Sequence, residues 1–116
     1  MRKSELMEKM DAEQKKIVKK VIDELAKQDN RFCKMSKILF VSHWGDSLDV
    51  YFFFTTTEEL NRNIDNGEVE ILKSVFNKKL YETGYFSLFN SEIRYVFDSY
   101  ENVKNNYKGN YYLRLL

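Results

Sequence analysis

The sequence has no proline, one cysteine, one histidine, one tryptophan and four glycines among its 116 residues. A lone Cys33 excludes an intramolecular disulfide. With neither C-x-x-C nor H-E-x-x-H spacing, no zinc-type ligand set is formed. The glycines are scattered, so neither G-x-x-x-x-G-K nor G-x-G-x-x-G is present to cradle a phosphate. An excess of one charge is missing as well. Nineteen basic and 18 acidic residues give a net charge of +1, which is no footprint for nucleic acid. No apolar run approaches the ~20 residues that a spanning helix needs. After Met1-Arg2-Lys3 the chain turns charged without an apolar h-region, which predicts no signal peptide and a cytoplasmic location. The missing proline carries no functional reading. Residue chemistry here excludes more than it assigns.

What is present is a globular composition. Hydrophobic residues at 43% and charged residues at 32% suit one ordinary domain, expected to span residues 1–116. The stretch Lys37 to Thr57, KILFVSHWGDSLDVYFFFTTT, organises the rest. β-branched and aromatic residues fill two runs, Ile38 onward to Trp44 and Leu48 to Phe54, around the turn Gly45-Asp46-Ser47. Leu48, Val50, Phe52 and Phe54 share one apolar face that needs a cover. Asp49, Tyr51 and Phe53 share the other.

Residues 4–28 show helical spacing, with Met10, Ile17, Val18, Val21, Ile22 and Leu25 on a stripe. Asp11 with Gln14 suggests that the main helix starts at Asp11. Its other face mixes both signs of charge, which argues against a membrane-surface helix. Thr56 with Glu59 forms a capping box for a helix that runs on to residue 83, either kinked or broken at Gly67. Gly84 sits where a helix-ending glycine belongs. Tyr85–Phe89 reads as a short extended piece and Asn90-Ser91 as a turn. Glu92–Phe97 alternates as a strand. Asp98 with Glu101 predicts a cap for a helix from Ser99 to about Tyr107, and Tyr111–Leu115 reads as a last strand. The predicted fold is α+β, order α-β-β-α-β-α-β, with about four strands in one sheet and helices packed over it. Phe40, Val50, Phe52, Phe76, Phe97 and Leu113 are expected in the core.

Catalytic constellations are thin. Asp46 and Asp49 are the nearest approach to a carboxylate metal site, but turn acids are usually solvated. A Cys33–His43 nucleophile pair would need contact, yet about ten residues of extended chain separate them by some 30 Å. A buried thiol and a strand-end histidine are the expected outcome. Glu68 and Glu70 fall on a predicted helix rather than on strands, away from any nuclease-like arrangement. Trp44, Tyr51, Tyr85, Tyr100, Tyr107 and Tyr111 lie at strand ends, second faces or turns. Such residues close core edges, and they also serve as interface anchors. Stacking on single-stranded nucleic acid would want a basic groove, which is not seen.

The C-terminal stretch reads YVFDSYENVKNNYKGNYYLRLL, Tyr95 to Leu116. Phe97-Asp98-Ser99 ends a strand, Glu101-Asn102-Val103 lies on a short helix, and Gly109-Asn110-Tyr111-Tyr112 opens the final segment. This resembles the C-terminal pattern of small immunity proteins in bacterial polymorphic toxin and contact-dependent growth inhibition systems. The size and the helix preceding a hairpin are similar too. The resemblance implies a non-enzymatic, cytoplasmic inhibitor without cofactor or metal, which binds one cognate toxin domain encoded by an adjacent gene. Many such proteins are acidic, and this chain at +1 departs from that, which counts against a nuclease as the toxin. The expected contact residues are Trp44, Asp46, Asp49 and Tyr51 on the hairpin, then Tyr100 and Tyr107 on the last helix. A small enzyme and a nucleic-acid-binding regulator of a mobile element are the rival classes.

Overall fold

A computed structural model describes residues 3–43, 47–89 and 92–116. The first helix, α1 (Lys3–Gln28), starts eight residues before the expected cap. Asp11 does not cap it. Its Oδ1 instead accepts from Ser42 Oγ at 2.8 Å, and its Oδ2 pairs with Lys15 at 2.8 Å, tying the helix to the first strand. One turn of helix, α2 (Asn30–Cys33), follows, capped by Asp29. Strands β1 (Lys37–Ser42) and β2 (Ser47–Phe54) then form the expected hairpin, antiparallel, with Ile38 opposite Phe52 and Phe40 opposite Val50. Most of the turn, Trp44 to Asp46, lies outside the described residues, as does the expected Asn90-Ser91 turn.

The region 57–83 is two helices, α3 (Thr57–Asp65) and α4 (Glu68–Glu82). Thr56 caps α3 as its sequence requires, its hydroxyl accepting from Glu59 N at 3.1 Å. The break falls at Gly67, whose φ of 81° is open to glycine at little cost. Next comes α5 (Tyr85–Leu88), a helical turn where an extended piece was expected. Tyr85 and Phe89, four apart, are both buried while Ser87 between them is exposed; a strand would put Ser87 on their face, so the pattern is helical. β3 (Glu92–Ser99) pairs parallel to β2, with Val50 beside Tyr95 and Phe52 beside Phe97.

Two short helices end the chain, α6 (Tyr100–Asn106) and α7 (Tyr111–Arg114). Ser99, not Asp98, caps α6, accepting from Asn102 N at 3.1 Å. The expected last strand is α7. Lys108 and Gly109 at φ 56° and 73° reverse the chain, and Asn110 caps the new turn through Tyr112 N at 2.9 Å. Tyr111 and Leu115 still face inward, but Leu113 is 40% exposed rather than buried as expected. Among the described residues the sheet therefore has three strands, β1-β2-β3, not about four.

β2 is central and both its faces are covered. Leu48, Val50, Phe52 and Phe54 pack beneath α1 to α5, meeting Val18, Val21, Leu25, Phe32, Leu72, Phe76 and Leu80. Phe52 stands in the middle, its ring 5.1 Å from Phe97 and 5.6 Å from Phe76. Phe40 and Phe97 are partly rather than fully buried, because they lie on the edge strands. On the second face Phe53, Tyr51 and Val103 form a smaller cluster under α6 and α7. Among the described residues no helix is long and apolar enough to cross a membrane.

Candidate functional site

The second face of the sheet is apolar at one end and charged at the other. At the covered end Phe53 meets the Tyr111 ring edge-on at 4.8 Å. Moving two residues back along β2 reaches Tyr51, and two more reach Asp49, near the hairpin turn. The register sets Asp49 opposite Val41 on β1 and beside Arg94 on β3. Arg94 therefore points to the same face as Asp49. Its Nε donates to Asp49 Oδ1 at 3.1 Å and its Nη2 to Oδ2 at 3.2 Å. The same Nη2 reaches the Tyr51 hydroxyl at 3.2 Å. His43, just past the end of β1, places Nε2 3.2 Å from Asp49 Oδ2. An ionised carboxylate only accepts, so Nε2 carries the hydrogen in this contact.

The electrostatics follow from that geometry. Burial pushes Asp49 up, but the hydrogen bonds and positive charge of Arg94, helped by His43, outweigh it. The carboxyl is held below the ordinary carboxylate range. Asp49 in turn holds the proton on Arg94 more firmly. The Asp49 side chain is only 16% exposed, while those of Arg94 and His43 are 63% and 47% exposed. The carboxylate is thus a largely covered anchor that orients two side chains whose outer edges face water. With Nε and Nη2 given to Asp49 and Tyr51, the guanidinium is fixed in place and keeps Nη1 to donate to a carboxylate or carbonyl on another molecule.

The residues expected to make contact fall into three groups. Trp44 and Asp46 lie outside the described residues. Asp49 is in the charged cluster. Tyr51 is 5% exposed, so its ring serves the core and only its hydroxyl joins the cluster. Tyr100 and Tyr107 are half-buried. Tyr100 stacks on Tyr111 at 5.6 Å, and Arg114 lies over the Tyr107 ring at 5.8 Å. Arg114 also pairs with Asp98, whose carboxylate accepts from Asn102 Nδ2 at 2.9 Å as well. Those two tyrosines lie some residues along the face from the Asp49 cluster and mainly hold the cover in place. Arg94 was not singled out from the sequence. The signal was there: Ile93, Tyr95 and Phe97 share the main core face, so Arg94 must share the other with Asp49.

A histidine oriented by a carboxylate is half of an acid–base unit. The thiol considered as its nucleophile is remote. Cys33 is exposed on α2, not buried as expected, and the six residues of β1 separate it from His43 by roughly 20 Å. Among the described residues no three of His, Cys, Asp and Glu gather as a metal ion needs. A partly enclosed cleft lies elsewhere, between α2, α3 and α4, with Arg31, Phe54, Glu59 and Glu68 in its walls. At about 190 Å³ it is smaller than the ~300–1,000 Å³ of ordinary small-molecule sites. Comparison of the chain with family models, with curated proteins and with solved structures gives no match.

Proposed function

We propose that the chain is a non-enzymatic immunity protein, which binds one toxin domain in the cytoplasm and blocks it. The C-terminal resemblance supports the reading, and that stretch, Tyr95 to Leu116, builds the end of β3, α6 and α7, which cover the apolar end of the sheet's second face. The observation that carries most weight is the Asp49–Arg94–His43 cluster, a set of mutually oriented polar side chains at the open end of the sheet's second face. An inhibitor needs no chemistry of its own. It needs a complementary surface with a few rigid anchors, and paired charges supply specificity and register.

The test is co-expression with the toxin domain encoded by the neighbouring gene. Cells should survive with the parent chain, and the two purified proteins should associate. Arg94→Glu, which reverses the exposed donor, should weaken the complex by about tenfold or more while leaving the helix content unchanged. Cell death despite co-expression, or failure of the purified proteins to associate, would overturn the proposal.

A further inference from the structure

β1 is one edge of the sheet and β3 the other. The two edges are not alike. His43 N donates to Ser47 O at 3.0 Å, so these two form a hydrogen-bonded pair of the antiparallel ladder. Alternation from there turns the backbone groups of Val41, Leu39 and Lys37 towards β2, and those of Ser42, Phe40 and Ile38 away from it. Among the described residues, the N–H and C=O groups of Ile38, Phe40 and Ser42 have no hydrogen-bond partner. β3 has an outer edge too, but Glu92, Arg94 and Asp98 are spaced along that strand. Charges of this kind discourage a further strand. β1 carries one charge, Lys37 at its start, followed by Ile38-Leu39-Phe40-Val41. Those four residues hold no charge and no proline to deter pairing.

The geometry of the edge says what fits it. Donors and acceptors recur at every second residue, about 7 Å apart, along an edge about 20 Å long. An extended polypeptide repeats its own groups at that interval. Its side chains would stand beside Ile38 and Phe40 on the main face and beside Leu39 and Val41 on the second, so both its faces are apolar. Ile22 stands three turns after Asp11, on the side of α1 that Asp11 ties to Ser42, and is half-buried. It roofs the main face of this edge. A second copy does not fit. α1 lies over β1, so two copies joined through β1 would set two such helices on one side of the joint sheet. They would stand about 4.8 Å apart, the spacing of strands, whereas packed helices keep about 8–10 Å. A lone segment of another protein brings no helix to that side. The edge is also continuous with the charged cluster, because His43 directly follows β1.

We infer that the outer edge of β1 receives an extended, apolar segment of the bound toxin domain, which joins the sheet as a fourth strand. The inference rests on the immunity reading and adds the mode of contact to it. Amide hydrogen exchange of the full chain, read residue by residue by NMR, tests it with the toxin domain of the neighbouring gene as the probe. In the free chain the amides of Leu39 and Val41, bonded to β2, should exchange slowly and those of Ile38, Phe40 and Ser42 faster. In the complex the last three should slow by about a hundredfold or more, so that the alternation disappears. Ser42→Pro removes one outward N–H from the edge, whereas Ser42→Ala keeps it; both lose the hydroxyl bonded to Asp11. Ser42→Pro should weaken the complex about tenfold, and Ser42→Ala should stay within about threefold of the parent. A urea melt shows whether the proline variant is folded, and if it is not, the exchange pattern decides alone. A complex in which Ile38, Phe40 and Ser42 exchange as in the free chain, or a folded Ser42→Pro that binds like the parent, overturns this inference and leaves the immunity reading standing. Two purified proteins that do not associate overturn both.

Discussion

Replacing Phe52 by alanine removes the ring at the centre of the main core. Phe52 is 0% exposed and meets four other rings, Phe97 at 5.1 Å, Phe76 at 5.6 Å, Phe32 at 6.0 Å and Tyr95 at 6.2 Å. Buried Phe→Ala changes cost about 3–5 kcal/mol, and lost ring pairs push a site towards the top of that range. We expect about 4–5 kcal/mol. A domain of this length is stable by roughly 6–17 kcal/mol, so the variant keeps its fold only with a small margin at the lower end. In urea, with a slope of about 2 kcal/mol per molar, the midpoint should fall by about 2 M without a change in slope. Phe53→Ala is the internal control. It deletes the same atoms one residue later, also from a 0% exposed position, but on the second face. Its cover is two short helices that can settle inward, so we expect about 3 kcal/mol. A Phe52→Ala loss under about 1 kcal/mol, or a larger loss at Phe53 than at Phe52, would refute the assignment of the main core to the even-numbered face.

Three further outcomes follow from single contacts. Asp49 has a lowered carboxyl pKa in the folded state, so its contribution to stability is present above about pH 4 and is lost as pH falls through the folded value. Asp49→Asn should therefore narrow its stability deficit as the pH of a chemical melt drops from 6 towards about 2; a deficit that stays constant over that range would contradict the pairing. Gln14 is fully buried, and its Nε2 donates to the Tyr85 hydroxyl at 2.9 Å and the Ser47 carbonyl at 3.2 Å. Gln14→Leu should cost about 1–3 kcal/mol in the same melt, since it strips buried oxygens of a donor; a neutral result would show that neither bond matters. Thr56→Ala removes the α3 cap and should cost about 1 kcal/mol, whereas Thr56→Ser should cost little; equal effects of the two changes would argue against the cap.

The parts of the fold that could be read from sequence are those governed by local rules with one solution. Alternation along Leu48 to Phe54 picks out the core face, and Thr56 with Glu59 marks a helix start, because a hydroxyl three residues ahead of a glutamate has a definite job there. Gly67 and Gly84 end helices because few other residues tolerate φ near +80°. The misreadings arise where two periods agree. Tyr111 and Leu115 lie on one face in a strand and in a helix alike, so only Leu113 discriminates, and its exposure decides for the helix. Tyr85 and Phe89 are ambiguous in the same way. Tyr51 was assigned to a surface because nothing local says what will cover the second face. That depends on α6 and α7, nearly fifty residues away. Arg94 was overlooked for the converse reason: the parallel pairing of β2 and β3, which brings it to Asp49, is a long-range fact.

The coiling of the last residues and the existence of the charged cluster are connected. A fourth strand, or a longer cover, over the hairpin end of the second face would have enclosed Asp49 and Arg94 together. Enclosing an ion pair costs several kcal/mol per charge in desolvation, and the mutual attraction does not reliably offset it. Instead α7 stops after one turn, with Arg114 held by Asp98 and Tyr111 packed on Phe53. The cover ends where the apolar residues of the face end. Beyond it the carboxylate keeps a small exposure, and the arginine keeps most of its surface in water, so the pair needs little desolvation and retains its geometry. The same short cover therefore makes Phe53 a core residue and leaves the outer edges of Arg94 and His43 open to another molecule. If so, lengthening the cover would stabilise nothing unless Asp49 and Arg94 were replaced together by apolar residues, because each alone would leave the other buried and unpaired.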